Sequence, residues 1–207
     1  MNGFIGAVHM NNTLAVRQLI ESGFDVDTHL HGPLPSGLLI AARYGKPDIA
    51  QLLVENGADM LITSESGYTA MHFAADEGYV EVLRILVDNM PGPFILNAVD
   101  GVGQTPLYVA AVAGQENSIR LLLASGADEQ IMAHGDRLPV DIALMQGHLR
   151  CAALLVEETE RKAALEAERV DRIVAVLMGL DPRLGNRSRL RSLDESLVVM
   201  MLRNYII

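Results

Sequence analysis

The sequence predicts an all-α fold, a solenoid of stacked antiparallel helix pairs with a C-terminal helical extension. Three observations carry that expectation. A phrase recurs about every 33 residues, most fully as Thr105-Pro106-Leu107-Tyr108-Val109-Ala110-Ala111 running on to Gly126-Ala127-Asp128. A glycine recurs behind a pair of small residues, and beyond it comes a thick apolar stripe at helical spacing. A fixed period of this length means supersecondary units that stack, because none can bury its apolar face alone.

The rows fall at about residues 1–28, 29–62, 63–98, 99–131 and 132–157, with 158–207 left as the extension. The glycine closing each first helix stands at Gly45, Gly78, Gly114 and Gly147, and Asn11, the next-best residue for a left-handed conformation, takes its place in the first row. Ahead of it lie Gly6-Ala7, Ala41-Ala42, Ala74-Ala75, Ala110-Ala111 and Ala143-Leu144, mostly small enough to let neighbouring helices approach closely. The second helices are expected to face a core, row by row, with Ala15, Val16, Leu19 and Ile20; with Ile49, Leu52, Leu53 and Val54; with Val82, Leu83, Ile85 and Leu86; with Ile119 and Leu121 to Leu123; and with Leu154, Leu155 and Val156. Thr69 and Thr105 stand where a hydroxyl caps a helix start, and Pro106 and Pro139 fill a first-turn position at which a missing N–H costs nothing. Gly23, Gly57 and Gly126 follow second helices as left-handed caps, with Asp25, Asp59 and Asp128 shaping the loops beyond.

With these residues in register, the chain resembles the ankyrin-repeat family, whose signature reads Gly-x-Thr-Pro-Leu-His-x-Ala-Ala and closes on Gly-Ala-Asp. Gly103 to Ala111 matches almost throughout, with Tyr108 for the histidine. Gly67 to Ala75 matches with Ala70 for the proline, whereas Asp136 to Asp141 keeps only the proline and the framework. The second row offers Ser36-Gly37-Leu38-Leu39, and the first begins too late to contain the turn. The likeness covers residues 1 to about 157. It implies a repeat of a turn, two antiparallel helices and a protruding loop, with a role in binding proteins.

Composition and charge narrow the function classes. The chain has 207 residues, half of them apolar and none of them tryptophan, as suits an alanine- and leucine-rich helical stack. No apolar run reaches the roughly 18 residues needed to cross a bilayer. The start lacks a basic segment before its apolar residues, and Arg17 and Glu21 break any signal-like stretch, which argues against a secretory route. Cys151 is alone, so no internal disulfide forms; its place on the last second helix suits a small buried hydrophobe in a reducing cytoplasm or nucleus. Residues 1–155 carry 17 acidic and 7 basic side chains against 9 of each in 156–207, so the repeats hold the whole net charge of −10. An acidic stack argues against direct nucleic-acid binding, which needs positive surface to release counterions. The basic stretch Arg183, Arg187, Arg189 and Arg191 is expected to be a solvated loop.

Catalytic and metal patterns are weak. His29 and His31 have no cysteine or further histidine near in sequence to complete a zinc set, and Gly101-Val102-Gly103 lacks the lysine of a phosphate loop. His72 and His148 fall where the resemblance itself places histidine, and their expected work is tying turns together. The expectation is therefore no catalytic residue, no cofactor and no metal. The family geometry implies instead that a partner protein meets the loop tips and the free part of the first helices: Arg43, Tyr44, Glu65, Ser66, Tyr68, Asp76, Glu77, Gln104, Arg137, Met145 and Gln146. Tyr44 and Tyr68 head that set, since tyrosine offers large contact area with a polar end.

Two departures from the repeat remain. Three extra residues enter around Asn89-Met90-Pro91-Gly92-Pro93-Phe94, a loop stiffened by two prolines in which Phe94 and Ile95 are expected to plug the gap between rows. Glu157 to Arg169, without glycine or proline and rich in Glu, Ala, Arg and Lys, reads as a solvated helix, becoming amphipathic through Val170, Ile173, Val174 and Leu177. Ser192 and Glu195 then form a capping-box pattern ahead of Leu197 to Leu202. This apolar helix either caps the stack or docks on a partner. Leu193 to Tyr205 is similar to the opening helix of an F-box but lacks its proline, and the overall arrangement resembles the SOCS-box adaptors of ubiquitin ligases but lacks their cysteine. The functional expectation is a non-catalytic protein–protein interaction module or scaffold. Alternatives are the substrate receptor of a ubiquitin ligase and a transcription cofactor that binds a DNA-bound partner.

Overall fold

The computed structural model describes residues 3–27, 36–133 and 135–177, with side chains through residue 170. Contacts divide the chain between Glu157 and Glu158 into two units. His29, His31, the basic stretch from Arg183 to Arg191 and the helix expected after Ser192 lie outside the described residues.

The first unit is built of helix pairs: α1 (Gly3–His9) with α2 (Thr13–Glu21), α3 (Gly37–Arg43) with α4 (Pro47–Glu55), α5 (Ala70–Asp76) with α6 (Val80–Asp88), α7 (Pro106–Ala113) with α8 (Glu116–Ala124), and α9 (Pro139–Met145) followed by the part of α10 (Leu149–Leu177) that ends at Glu157. First helices pack on first helices, α1 through α9 in order, and α2, α4, α6 and α8 stack likewise. Among the described residues the extended pairing is limited to a bridge between Ala133 and Arg137. This is the all-α helical repeat solenoid that the recurrent phrase predicts.

Each first helix starts as its sequence dictates. The hydroxyls of Ser36, Thr69 and Thr105 accept the N–H groups of Leu39, His72 and Tyr108 at 3.3, 3.4 and 3.2 Å. In row five Leu138 has no capping oxygen, and Asp141 works backwards instead, its carboxylate accepting the Leu138 N–H at 3.0 Å. Asn11 and the four row glycines all take positive φ, from 55° to 79°. At Gly114 that freedom is doubly needed, because an added Cβ would also strike the His148 ring of the following row.

The core lies where first and second helices meet. Ala41, Ala42, Ala74, Ala75, Ala110 and Ala111 are completely enclosed between rows, and the second helices add Ile49, Leu53, Leu83, Leu86, Ile119 and Leu122. The end rows differ from expectation. Val16 is buried but Ala15, Leu19 and Ile20 are only partly so, and in row five Leu155 is buried while Val156 is exposed. Interior stripes are graded in the same way, Val54, Ile85 and Leu121 being half-buried beside fully buried neighbours, because a helix turns only part of its circumference to the core. Cys151 is buried as a small hydrophobe, and enclosure pushes its thiol above the usual range.

The three-residue insertion forms a short 3₁₀ helix, Pro93–Asn97. It divides the expected plug: Ile95 and Leu96 are buried, whereas Phe94 is 58% exposed. The 3₁₀ turn aims successive side chains in different directions, so only part of the apolar run can enter the gap. Elsewhere the loops are tied row to row by side chains, Asp27 accepting the Asp59 N–H at 2.9 Å and Asn97 accepting the Asp128 N–H at 3.0 Å.

The helix α10 runs past the last row without a break, and its exposed stretch is laced by local pairs. Glu158 accepts two bonds from the Arg161 guanidinium at 2.9 and 2.6 Å, which hold its carboxyl below the usual range. Arg169 lies 3.5 Å from Glu166. No helix among the described residues is long and apolar enough to cross a membrane.

Candidate protein-binding surface

The turns before the first helices are built alike. Ser64 and Tyr68, Asp100 and Gln104, and Ala133 and Arg137 each close a loop by a backbone bond of 2.9, 2.9 and 3.0 Å from the earlier N–H to the later carbonyl. The chain reverses at Gly67, Gly103 and Asp136, all at positive φ. Asp100 folds the middle turn further, one carboxylate oxygen accepting the N–H groups of Val102 and Gln104 at 3.0 and 2.7 Å. Adjacent turns touch through the Gly101 N–H, which reaches the Ser66 carbonyl at 3.0 Å. A Cβ on Gly67 would lie 2.5 Å from the Gly101 nitrogen, so this contact also requires glycine.

His72 is the post that fixes one turn to the next. Its Nδ1 accepts the Thr69 N–H at 3.3 Å and faces the Thr69 hydroxyl at 2.8 Å, which leaves the proton on Nε2, 2.9 Å from the Gln104 carbonyl. Burial holds the imidazole below its ordinary pKa, opposed by the bond to Gln104 and by the charge of Asp100. His148 ties row five to row four, its Nε2 lying 3.1 Å from the carbonyl of Val112 near the end of α7. Tyr108, in the histidine position of row four, is buried, and its N–H is taken up by the Thr105 hydroxyl.

Beside these posts lies a run of rings and charges across three rows. His9 and Tyr44 have ring centroids 4.9 Å apart, and the Arg43 guanidinium stands 6.0 Å from the Tyr44 centroid and 5.6 Å from that of Phe73. Phe73 meets Tyr68 edge to face at 5.2 Å, and Tyr68 stacks on His72 at 5.3 Å. Tyr44 and Tyr68 are thus joined through Arg43 and Phe73. Tyr44 is 46% exposed, while Tyr68 is half-buried, and burial followed by the charges of Asp76 and Asp100 pushes its phenol up.

The other expected residues occupy the same edges of the helices and turns. Glu65 and Ser66 are exposed at the tip of the first complete turn, and Asp76 is half-buried beside exposed Glu77 at the end of α5. Burial first, and Glu77 second, raise the Asp76 carboxyl above the usual range. Gln104 is half-buried and serves mainly through its backbone, Arg137 is exposed on the last turn, and Met145 with Gln146 is exposed at the end of α9. Phe73 and His9 are participants that the sequence reading missed. His9 holds the same row position as Arg43, Asp76 and Met145, two residues before the row-closing glycine or Asn11, so the row alignment contains the signal for it.

Comparison with known proteins bears on the repeat itself. The family model of ankyrin repeats, in three copies, matches residues 4–93 and again 38–133. The chain is 30% identical over 166 residues to the ankyrin repeat protein nuc-2 of Neurospora crassa, which covers 78% of this chain and 15% of that protein. It is 27% identical over 157 residues to the target of rapamycin complex 2 subunit AVO2 of Saccharomyces cerevisiae, at 74% and 36% coverage. It is 26% identical over 129 residues to the nuclear factor NF-kappa-B p105 subunit of Rattus norvegicus, at 60% and 13% coverage. The chain spans well under half the length of each of these relatives.

Proposed function

This chain belongs to the ankyrin-repeat family and is a protein–protein interaction module, and we propose that it serves as a non-catalytic scaffold whose partner lies along the turns and first helices. The observation that carries the proposal is the aromatic run from Tyr44 through Arg43 and Phe73 to Tyr68, in which Arg43 and Tyr44 are exposed and Phe73 and Tyr68 are half-buried against the edge of the core. Tyrosine and arginine are favoured anchors, tyrosine because its ring covers large area with few rotatable bonds and arginine because its planar guanidinium both stacks and donates several hydrogen bonds. The buried polar groups Ser36, Thr69, His72 and Thr105 are engaged in capping and turn-tying, which leaves the surface strip to bind. The yeast relative is by its name a subunit of a complex, in keeping with a scaffold role. A reducing compartment, cytoplasm or nucleus, suits the single buried cysteine.

Affinity capture with the full chain as bait, followed by mass spectrometry, identifies the partner. Replacing Tyr44 and Tyr68 by alanine then weakens that partner by at least about tenfold, the size expected for losing interface anchors, with helical content unchanged by circular dichroism. Unchanged affinity would remove the strip as the binding face.

A further inference from the structure

The charge beside the aromatic run has not been used by the fold. Asp76 and Glu77 end α5 side by side, and neither forms an ion pair among the described residues. Asp76 is partly withdrawn from water without a cation to offset the cost of that withdrawal, and its raised carboxyl pKa is the consequence. Tyr68, just ahead of α5, meets the ring of Phe73 within it at 5.2 Å, Asp76 and Glu77 follow Phe73 at the three- and four-residue spacing of one helix face, and Phe73 already carries one guanidinium, that of Arg43, at 5.6 Å. Aromatic faces attract cations through their quadrupole, and a carboxylate next to them adds a counter-charge. The surrounding repeats are acidic as a whole, 17 acidic to 7 basic side chains through residue 155.

We propose that the partner presents a basic segment to this patch, an arginine or lysine side chain lying against Tyr68 and Phe73 with Asp76 and Glu77 as its counter-charges. The proposal rests on the reading of the strip as the binding face and adds the chemistry of what binds there. A neutral apolar segment would cover the rings but leave two carboxylates facing it, and an acidic one would be repelled by them. Arg43 sets the upper boundary of the patch, because its own charge disfavours a second cation beyond Phe73.

The test uses the full chain and two fluorescein-labelled probe peptides, one of alternating glycine and arginine and one of alternating glycine and glutamate, followed by fluorescence anisotropy at low salt. The glycine–arginine probe is expected to bind and the glycine–glutamate probe is not. The pair Asp76→Asn and Glu77→Gln is expected to weaken the basic probe on the order of tenfold, as for the loss of charges at an interface. The pair Glu55→Gln and Asp88→Asn, an equal change of charge at the ends of α4 and α6, leaves it within about twofold, since screened distant charges act weakly. Equal weakening by both pairs would reduce the effect to overall charge and overturn the proposal, as would failure of the basic probe to bind. Should the probe fail while alanine at Tyr44 and Tyr68 still weakens a captured partner, the binding face stands and only its preference for a basic segment falls.

Discussion

At the scale of single residues, His72 does more than fill a position in a phrase. It closes a helix cap through Nδ1 and fastens the neighbouring turn through Nε2, and both bonds together require the neutral ring. Burial lowers its pKa in the folded protein. The unfolded chain therefore takes up the proton first, near pH 6.5, and the folded chain only at lower pH. Between those points the unfolded state binds more protons, so the contribution of His72 to stability falls as pH drops below about 6.5 and is level above it. Urea unfolding of wild type and His72→Gln across this range is expected to show a less stable variant with a shallower acid dependence. Parallel curves would contradict the assignment.

Caps and left-handed glycines were legible in the sequence because each depends on a few adjacent residues; Thr69, Thr105, Asn11 and Gly45 act as their types require. Asp141, which caps by reaching back to Leu138, escaped notice because row five lacks the threonine that marks the others. Phe73 escaped for a different reason. Its neighbours in alignment, Ile40, Val109 and Ile142, are core residues, whereas Phe73 is only half-buried and its contact with Arg43 and Tyr68 is seen only in three dimensions.

At the scale of the element, one alignment column shows how context sets the energy of a side chain. Ala42, Ala75 and Ala111 are completely buried between first helices, whereas Leu144 in the same column of row five is 53% exposed. Ala75→Leu is therefore expected to lower stability by about 1–3 kcal/mol through overpacking, while Leu144→Ala changes it by less than about 0.5 kcal/mol as a surface substitution. Chemical denaturation measures both, and similar effects at the two sites would contradict the packing described. The inserted loop supplies a second contrast within two residues. Ile95→Ala is expected to cost about 2–5 kcal/mol, and Phe94→Ala less than about 0.5 kcal/mol. The sequence announced an insertion through the 36-residue spacing from Gly78 to Gly114, but a 3₁₀ turn decides which apolar residue enters the core, and that depends on backbone direction.

At the scale of the molecule, the repeat explains most glycines, prolines and buried alanines as framework, and specificity is left to residues between them. The surface from Tyr44 to Tyr68 shows why the proposed binding strip was only half legible. Row alignment locates the edge of each first helix, but the joining of His9, Tyr44, Arg43 and Phe73 into one run depends on the stacking of α1, α3 and α5. The central claim is that a partner covers this edge. Hydrogen exchange of the chain with and without its captured partner tests it most directly, since ordering at an interface slows exchange in the segments it covers. The account predicts new protection in residues 40–45 and 65–77, with α4, α6 and α8 unchanged. Protection confined to α4, α6 and α8, with the first helices and turns unaffected, would contradict it.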